Sequence, residues 1–185
     1  MVDRFDCRNP NPIILLTRND LLVRTTTPLD WPYIDMLMKH NAWSIGFLQR
    51  RAFENYTWGG ERNFMCFLAE VNHSPIGYVF ITPGHRGQVC RIQQIAVQND
   101  ARRFEYGTAL VDTVEDYRKA HIRNGIALRC RVDLEANTFW KTLGFQLDSI
   151  QMRGTQNHMK FKASNDILHY SRVDIRQQSL FTIAD

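Results

Sequence analysis

The run from Ile95 to Ala109 constrains this chain more than any other stretch. It begins with the short apolar segment Ile95-Ala96-Val97 and passes through the polar turn Gln98-Asn99-Asp100-Ala101. Then Arg102-Arg103-Phe104-Glu105-Tyr106-Gly107-Thr108-Ala109 leads straight into a helical pattern. The first N–H groups of a helix have no intrahelical partner, and the helix dipole places partial positive charge there. A turn whose successive N–H groups point inward can wrap an anion, and arginines beside it add full charge. A strand, a basic turn with a glycine and a helix N-terminus, in that order, therefore predict a phosphate-binding junction.

The rest of the chain is placed around this junction. Leu21 to Thr25 reads as a strand, and Thr27-Pro28-Leu29-Asp30 opens a helix with Ile34, Leu37 and Met38 on one face. His40-Asn41 breaks it, and Trp43 to Tyr56 reads as a second helical stretch. Phe64 to Val71 and Ile76 to Ile81 form a hairpin about Asn72-His73-Ser74-Pro75, and Val89 to Val97 is the strand that enters the junction. Leu110, Val111, Val114 and Tyr117 share one face of a helix from Gly107 to Arg123. Ile126 to Val132 is a strand, Leu134 to Leu143 a short helix closed by Gly144, and Phe145 to Met152 a strand. A loop over Gly154–Asn157 precedes a last strand that begins at Met159–Phe161. The pattern is α/β, with a mixed central sheet of about six to seven strands and flanking helices. It divides into an N-terminal arm (1–20), one domain (21–162) and a C-terminal arm or added strand (163–185).

Val97, Arg102 and Gly107 fall at intervals of five residues. Downstream, Asp133-Leu134-Glu135-Ala136-Asn137-Thr138-Phe139-Trp140-Lys141-Thr142-Leu143-Gly144-Phe145 follows a helix and a strand. With these two motifs in this order, the chain resembles the GNAT family of acyl-CoA-dependent N-acetyltransferases. Val97, Arg102 and Gly107 match that family's V-x-x-x-x-(R/Q)-x-x-G-x-(G/A) pattern. Ala136, Phe139, Gly144 and Phe145 match its N-x-x-A-x-x-F-Y-x-x-x-G-F pattern. A more distant similarity runs to phage-type GNAT-like DNA-modification proteins. Three positions depart from the pattern: Glu105 replaces a loop glycine, Asp133 replaces the motif Asn, and Trp140 replaces a Tyr that often serves as general acid.

The resemblance implies a GNAT-like acyl-CoA N-acyltransferase fold, in which two parallel strands splay apart around the cofactor. It implies acetyl-CoA, or another acyl-CoA, as cofactor. The pyrophosphate would rest on Arg102, Arg103, Phe104, Tyr106, Gly107 and Thr108, and the pantetheine arm on Ile95, Ala96 and Val97. Asn137 and Trp140 would lie beside the thiol end. Asp133 reads first as a helix cap. No general base is evident, because Val89 to Val97 offers Arg91, Gln93 and Gln94 and no carboxylate. Asp133, Glu70 and Tyr106 are the catalytic candidates, with His73, His85, Cys130 and Tyr78 behind them. Arg129 and Arg131 alternate along one strand and so share a face, where they suit a substrate carboxylate or phosphate, or an ion pair with Asp133 and Glu135. Phe47 is the substrate-side aromatic, in a segment that also carries Trp43, Arg50, Arg51, Tyr56 and Trp58.

Charge and composition narrow the class. A net charge of +4 is mild and suits an acidic cofactor or a nucleic-acid-linked acceptor equally. No apolar run approaches the ~20 residues of a membrane span, and no apolar core follows the N-terminus as in a signal peptide. Cys7, Cys66, Cys90 and Cys130 are scattered without a CxxC pair, as in a reduced cytoplasmic protein without a metal site. The expected activity is N-acyl transfer from acyl-CoA to a small-molecule amine by direct attack in a ternary complex. The alternatives are transfer to a nucleobase amine or an aminoacyl-tRNA, and a CoA-binding module without turnover. The C-terminal arm suits pairing with a second copy in a homodimer.

Overall fold

A computed structural model describes residues 14–18, 20–57, 64–153, 155–158, 161–164 and 166–173. Two strands open the chain, β1 (Ile14–Arg18) and β2 (Leu21–Thr25). A 3-10 turn at Pro28–Asp30 leads into α1 (Trp31–His40), α2 (Ala42–Ile45) and α3 (Arg50–Thr57). Three strands follow, β3 (Met65–Val71), β4 (Ser74–Thr82) and β5 (Val89–Val97). Next come α4 (Tyr106–Ala120), β6 (Gly125–Arg131) and α5 (Ala136–Thr142). The described chain ends with β7 (Gln146–Gln151), β8 (Thr155–His158), β9 (Phe161–Ser164) and β10 (Ile167–Val173).

Eight strands form one mixed sheet in the order β1-β2-β3-β4-β5-β6-β10-β7, and β8 and β9 make a separate hairpin. The expected sheet of six to seven strands is thus one strand larger, and it reaches beyond 21–162 at both ends. β1 comes from the N-terminal arm, whose residues 1–13 lie outside the described residues. β10 comes from the C-terminal segment and inserts between β6 and β7, antiparallel to both. The expected loop at Gly154–Asn157 is corrected to strand β8 from Thr155 onward, while Met159 and 174–185 lie outside the described residues.

Local chemistry explains the joints. Asn72 and His73 have φ of 49° and 62°, so β3 and β4 are joined by a two-residue turn whose twist matches the sheet. The single helical stretch expected from Trp43 to Tyr56 is broken at Gly46, with φ 76° and ψ −178°, a conformation open in practice only to glycine. At the start of α1, Arg24 donates to Asp30 Oδ1 at 2.8 Å and from Nε to Glu70 Oε1 at 3.1 Å. The Thr27 N–H also donates to Asp30, at 2.6 Å. Burial pushes the Asp30 carboxyl up, but the Arg24 hydrogen bonds and the Thr27 N–H outweigh it and hold it below its ordinary value.

A core lies on each face of the sheet. On one, α4 sets Leu110, Val111, Val114 and Tyr117 against Val23, Phe67, Val79, Ile81, Cys90, Ile92, Ile126 and Leu128. Each fully buried aliphatic side chain there contributes about 1.5–3 kcal/mol. On the other, Trp31, Ile34, Leu37 and Met38 of α1 and Phe53 of α3 cover Cys66, Leu68, Tyr78, Phe80 and Ala96. Cys66, Cys90 and Cys130 are buried free thiols.

The pair β5–β6 is parallel, and its pairing runs only from Val89↔Gly125 to Ile92↔Leu128. There β5 also breaks register with β4, because Phe80 faces Gln94 while Ile81 faces Ile92. Gln93 is the extra residue, a β-bulge. It reverses the alternation of the strand: Cys90 and Ile92 face α4 before it, Ile95 and Val97 after it. From Gln93 onward β5 diverges from β6, and an opening forms between them.

Two outcomes test this architecture. A Cβ at Gly125 would stand 2.5 Å from the Arg172 carbonyl oxygen and 2.9 Å from Val173 Cα. Gly125→Ala should therefore cost about 1–3 kcal/mol, read as a fall of several degrees in Tm. Asp30→Asn should lower Tm at neutral pH. Because the folded carboxyl is held low, its contribution is complete above the ordinary carboxylate value of about 3.9 and fades as pH falls below it. The gap in Tm between the wild type and Asp30→Asn should therefore close in acid.

Candidate active site at the strand opening

The junction after β5 turns through a 3-10 segment, Asn99–Ala101, and then through two left-handed residues, Arg103 (φ 69°) and Glu105 (φ 62°). α4 starts at Tyr106 with Glu105 as its N-cap. The Glu105 carbonyl accepts the Ala109 N–H at 2.9 Å, the first bond of the helix. Among the described residues, no acceptor takes the N–H groups of 103–108. Free donors at a helix N-terminus, with the helix dipole, are what the anion site expected from the sequence would require. Arg103, Phe104 and Glu105 are exposed, and Phe104 stacks on Tyr106 with ring centroids 6.0 Å apart. Arg102 turns back: its Nε donates to the Val97 carbonyl at 3.3 Å and its Nη2 to Asn41 Oδ1 at 2.9 Å.

The two sequence motifs meet at Gly107. A Cβ there would lie 3.3 Å from Phe139 Cζ and 3.9 Å from Val97 Cγ2. The first turn of α4 thus packs directly between the end of β5 and α5. Beyond Ile92, the edge of β5 that would pair with β6 faces the opening instead. Its backbone groups at 93–97 are held in place from behind, because Ile95 and Val97 pack on the α4 core and Ala96 on the α1 core.

α2 bridges the opening. From β5, Gln94 Nε2 donates to the Ile45 carbonyl at 3.1 Å, with Gln94 Oε1 accepting the Tyr78 hydroxyl at 3.2 Å. From β6, Arg131 Nη1 donates to the Trp43 carbonyl at 2.9 Å, and its guanidinium lies 3.9 Å from the centre of the Trp43 ring. Arg102 holds Asn41, the residue just before α2.

Several expected roles are revised. Trp140 is only 4% exposed and packs edge-on against Phe139 and Phe145, so it offers no surface to a thiol. Beside it, burial pushes the Cys130 thiol up to about 11, against the lowering effect of its hydrogen bond with Trp140. Asn137 donates to the Arg131 and Leu134 carbonyls, both at 2.8 Å, and accepts the Tyr170 hydroxyl at 3.2 Å. It ties β6, α5 and β10 together. Asp133 does not cap α5, whose N-cap is Glu135; its carboxylate is engaged by Arg131 at 2.8 and 3.0 Å. Glu70 is held by Arg24 on β3, two strands from β5. Tyr106 stands at the anion end of the site, away from Gln93. Tyr78 is fully buried, and His73 and His85 lie in exposed turns.

Arg129 is exposed at the first β6 position beyond the paired segment, and Phe47 is 49% exposed beside α2. Trp58 lies outside the described residues. Within 163–185, read from sequence as an arm or an added strand, β10 brings His169 opposite Arg129 and Tyr170 opposite Leu128, two residues that sequence reasoning did not single out. The alternation Ile167-Leu168-His169-Tyr170 carried the signal. No helix of the described residues is long and apolar enough to cross a membrane.

The Acetyltransferase (GNAT) family pattern matches residues 30–145, more than half of the chain. No curated protein sequence matches. Solved structures share the fold at low identity. The Salmonella typhimurium acetyl transferase that modifies the N-terminal serine of ribosomal protein L7/L12 is 16% identical, with a TM-score of 0.70 over 88% of this chain and 99% of that one. Ard1 from Thermoplasma volcanium is 19% identical, with a TM-score of 0.68 over 84% and 99%. Arabidopsis thaliana Naa50, in complex with the bisubstrate analogue CoA-Ac-MVNAL, is 16% identical, with a TM-score of 0.64 over 84% and 99%.

A non-glycine residue in the left-handed region costs roughly 1 kcal/mol. Glu105→Gly should therefore raise Tm by a few degrees in the absence of any ligand, a gain that Glu105→Ala, which keeps a Cβ, should not reproduce.

Proposed function

This chain belongs to the Acetyltransferase (GNAT) family, and from that premise we propose that it transfers an acetyl group from acetyl-CoA to a primary amine by direct attack in a ternary complex. One observation carries the reading. The parallel pairing of β5 and β6 stops at Ile92↔Leu128, and the edge it frees leads from the opening to the unpartnered N–H groups at the start of α4. From Gln93 to Val97 that edge is about 13 Å long, and an amide-containing arm can lie along it.

The free N–H groups of 103–108 would hold the pyrophosphate, with Arg103 adding charge. Glu105 is exposed and forms no ion pair among the described residues, so solvent screens its carboxylate. The backbone of Ile95, Ala96 and Val97 would bind the pantetheine amides. Bound there, acetyl-CoA supplies an activated acyl group: the amine nitrogen forms a C–N bond, the C–S bond breaks, and the amine's surplus proton is released as the CoA thiolate departs. α4 and α5 close one face of the opening, so the acceptor enters from the face that carries α2.

The acceptor is an α-amino group in this reading. Asp133 and Glu70, the carboxylates considered for the base, are both committed to arginines. Without a strong base, the amine must arrive neutral. At pH 7.5 roughly a third of an α-amine with pKa about 7.8 is neutral, against roughly one part in a thousand of a lysine amine. The Salmonella and Arabidopsis relatives, described with an N-terminal serine and a peptide bisubstrate analogue, support the same choice. A second reading, cofactor binding without turnover, is favoured by Trp140, which cannot serve as a phenolic acid and is confined to the core.

Acetyl-CoA at a hundred times its Kd should raise Tm by about 5–10 °C. Thiol release should follow on addition of a peptide with a free N-terminus, roughly 100-fold faster than with an N-blocked lysine peptide, and should rise with pH toward 8. A flat melting curve up to millimolar acetyl-CoA would remove the reading. A shift with no thiol release on any amine would select the second one.

A further inference from the structure

Among the described residues, no helix covers the acceptor-side face of the half-sheet beyond the opening except α2, which meets it at Arg131. α1, α2 and α3 pack over β3, β4 and the end of β5, while β7 is exposed along its whole length. Register decides what that face carries. Arg91 pairs with Ala127, Arg129 with His169, and His169 with Ser149. Paired residues share a face, so Arg91, Arg129 and His169 stand together on three adjacent strands. Arg131 lies on the same face, but Asp133 and Trp43 already hold it.

Arg91 and Arg129 are exposed, and among the described residues they make no ion pair or hydrogen bond. The other paired positions on this face of β6, β10 and β7 are Ala127, Ile167, Ser171, Gln146, Ser149 and Gln151, all uncharged; the one carboxylate beside them, Asp148 at the β7 bulge, accepts the Ser171 hydroxyl at 2.8 Å and pairs with neither arginine. A pair of unpaired guanidinium groups, with an imidazole beside them and the transfer opening at their edge, is a complement for negative charge on the acceptor.

We infer that this face docks an acidic N-terminal segment of a polypeptide, with Arg91 and Arg129 receiving carboxylates just behind the amine and His169 donating a hydrogen bond beside them. The inference rests on the acceptor reading above and names its substrate class. The size of the patch favours a peptide over a nucleic acid. The three residues span about two strand spacings, roughly 10 Å, which suits two or three carboxylates. A nucleic-acid surface neutralises several phosphates along an extended stripe, and on this face the positive charge ends at β7, where Ser149 and Gln151 are neutral and Asp148 is an anion.

The test uses the full chain and short peptides with free N-termini that differ only in carrying Glu or Lys at their second to fourth positions. Binding is read by calorimetry in the presence of CoA, with a single-stranded RNA oligonucleotide as the competing class. Two exposed ion pairs should give the Glu peptide about tenfold tighter binding at low salt, an advantage that shrinks at high salt. The double variant R91Q/R129Q should bind both peptides alike, and R91E/R129E should prefer the Lys peptide. Both variants should keep the acetyl-CoA shift in Tm, since neither residue touches the loop. Equal binding of the two peptides, a preference that survives charge reversal, or RNA binding tighter than the Glu peptide would each overturn the inference. Loss of the acetyl-CoA shift in the wild type would instead sink the cofactor reading, and the peptide preference would still decide this one.

Discussion

The single residue that Gln93 adds to β5 sets the geometry on which the site depends. A strand that kept its register with β4 would continue to present Cys90, Ile92, Gln94 and Ala96 to one core. The bulge changes the parity, so apolar Ile95 and Val97 take over the α4 side while Gln94 turns toward α2. It also coincides with the last pair of the β5–β6 ladder. Unpaired strand edges inside a domain are costly unless something satisfies them. An opening fixed by two packed cores is therefore a place where an amide-bearing ligand would gain what the protein leaves unmade.

Backbone and side chain carry different shares of the anion site. The free donors are main-chain N–H groups, so an anion held by them would depend little on the side chains of Arg103, Phe104 and Glu105 as long as the chain can trace the turn. Glycine would trace it without strain, and here two non-glycine residues hold left-handed conformations instead. Gly107 is a different case. Its conformation is ordinary, and its small size matters because Phe139 and Val97 approach where a side chain would be. The two glycine positions of one motif thus answer to two separate requirements, conformation and space. Only the second is kept by glycine in this chain.

The fold was legible where periodicity and turn chemistry agreed. Val97, Arg102, Gly107 and the Ala136 to Phe145 run located the junction and the two helices, because spacing along the chain translates directly into those elements; the parallel pair was implied by the resemblance to the GNAT family. The register bulge was not legible: Ile92-Gln93-Gln94-Ile95 reads as a continuous strand, and which residue is extra depends on β4. Side-chain commitments were hidden for the same reason. The ion pair of Arg131 with Asp133 was among the alternatives the sequence offered, but the choice between it and a cap needed the strand geometry, and Asn137 looked available because Tyr170 lies on a strand 33 positions away in the chain. The aromatic position of the second motif was readable as Trp140, but its orientation into the core required Phe139 and Phe145 to be in place.

α2 shows how these commitments act together. It has four residues, too few to be stable alone, and its position is set from outside. Gln94 holds its end from β5, Arg131 holds its start from β6, and Arg102 holds Asn41 from the anion loop. Stacking of Arg131 on Trp43 adds roughly 0.5–2 kcal/mol. A helix held on both sides of an opening limits how far the two strands can separate, and the third tie links that separation to the loop. Arg102 is also a cation beside the anion site, so a phosphate there would compete with Asn41 for its guanidinium. Any shift in that balance is felt first by α2, which borders both the opening and the uncovered basic face. The anion loop, β5 and β6 are in this way all tied to one short helix.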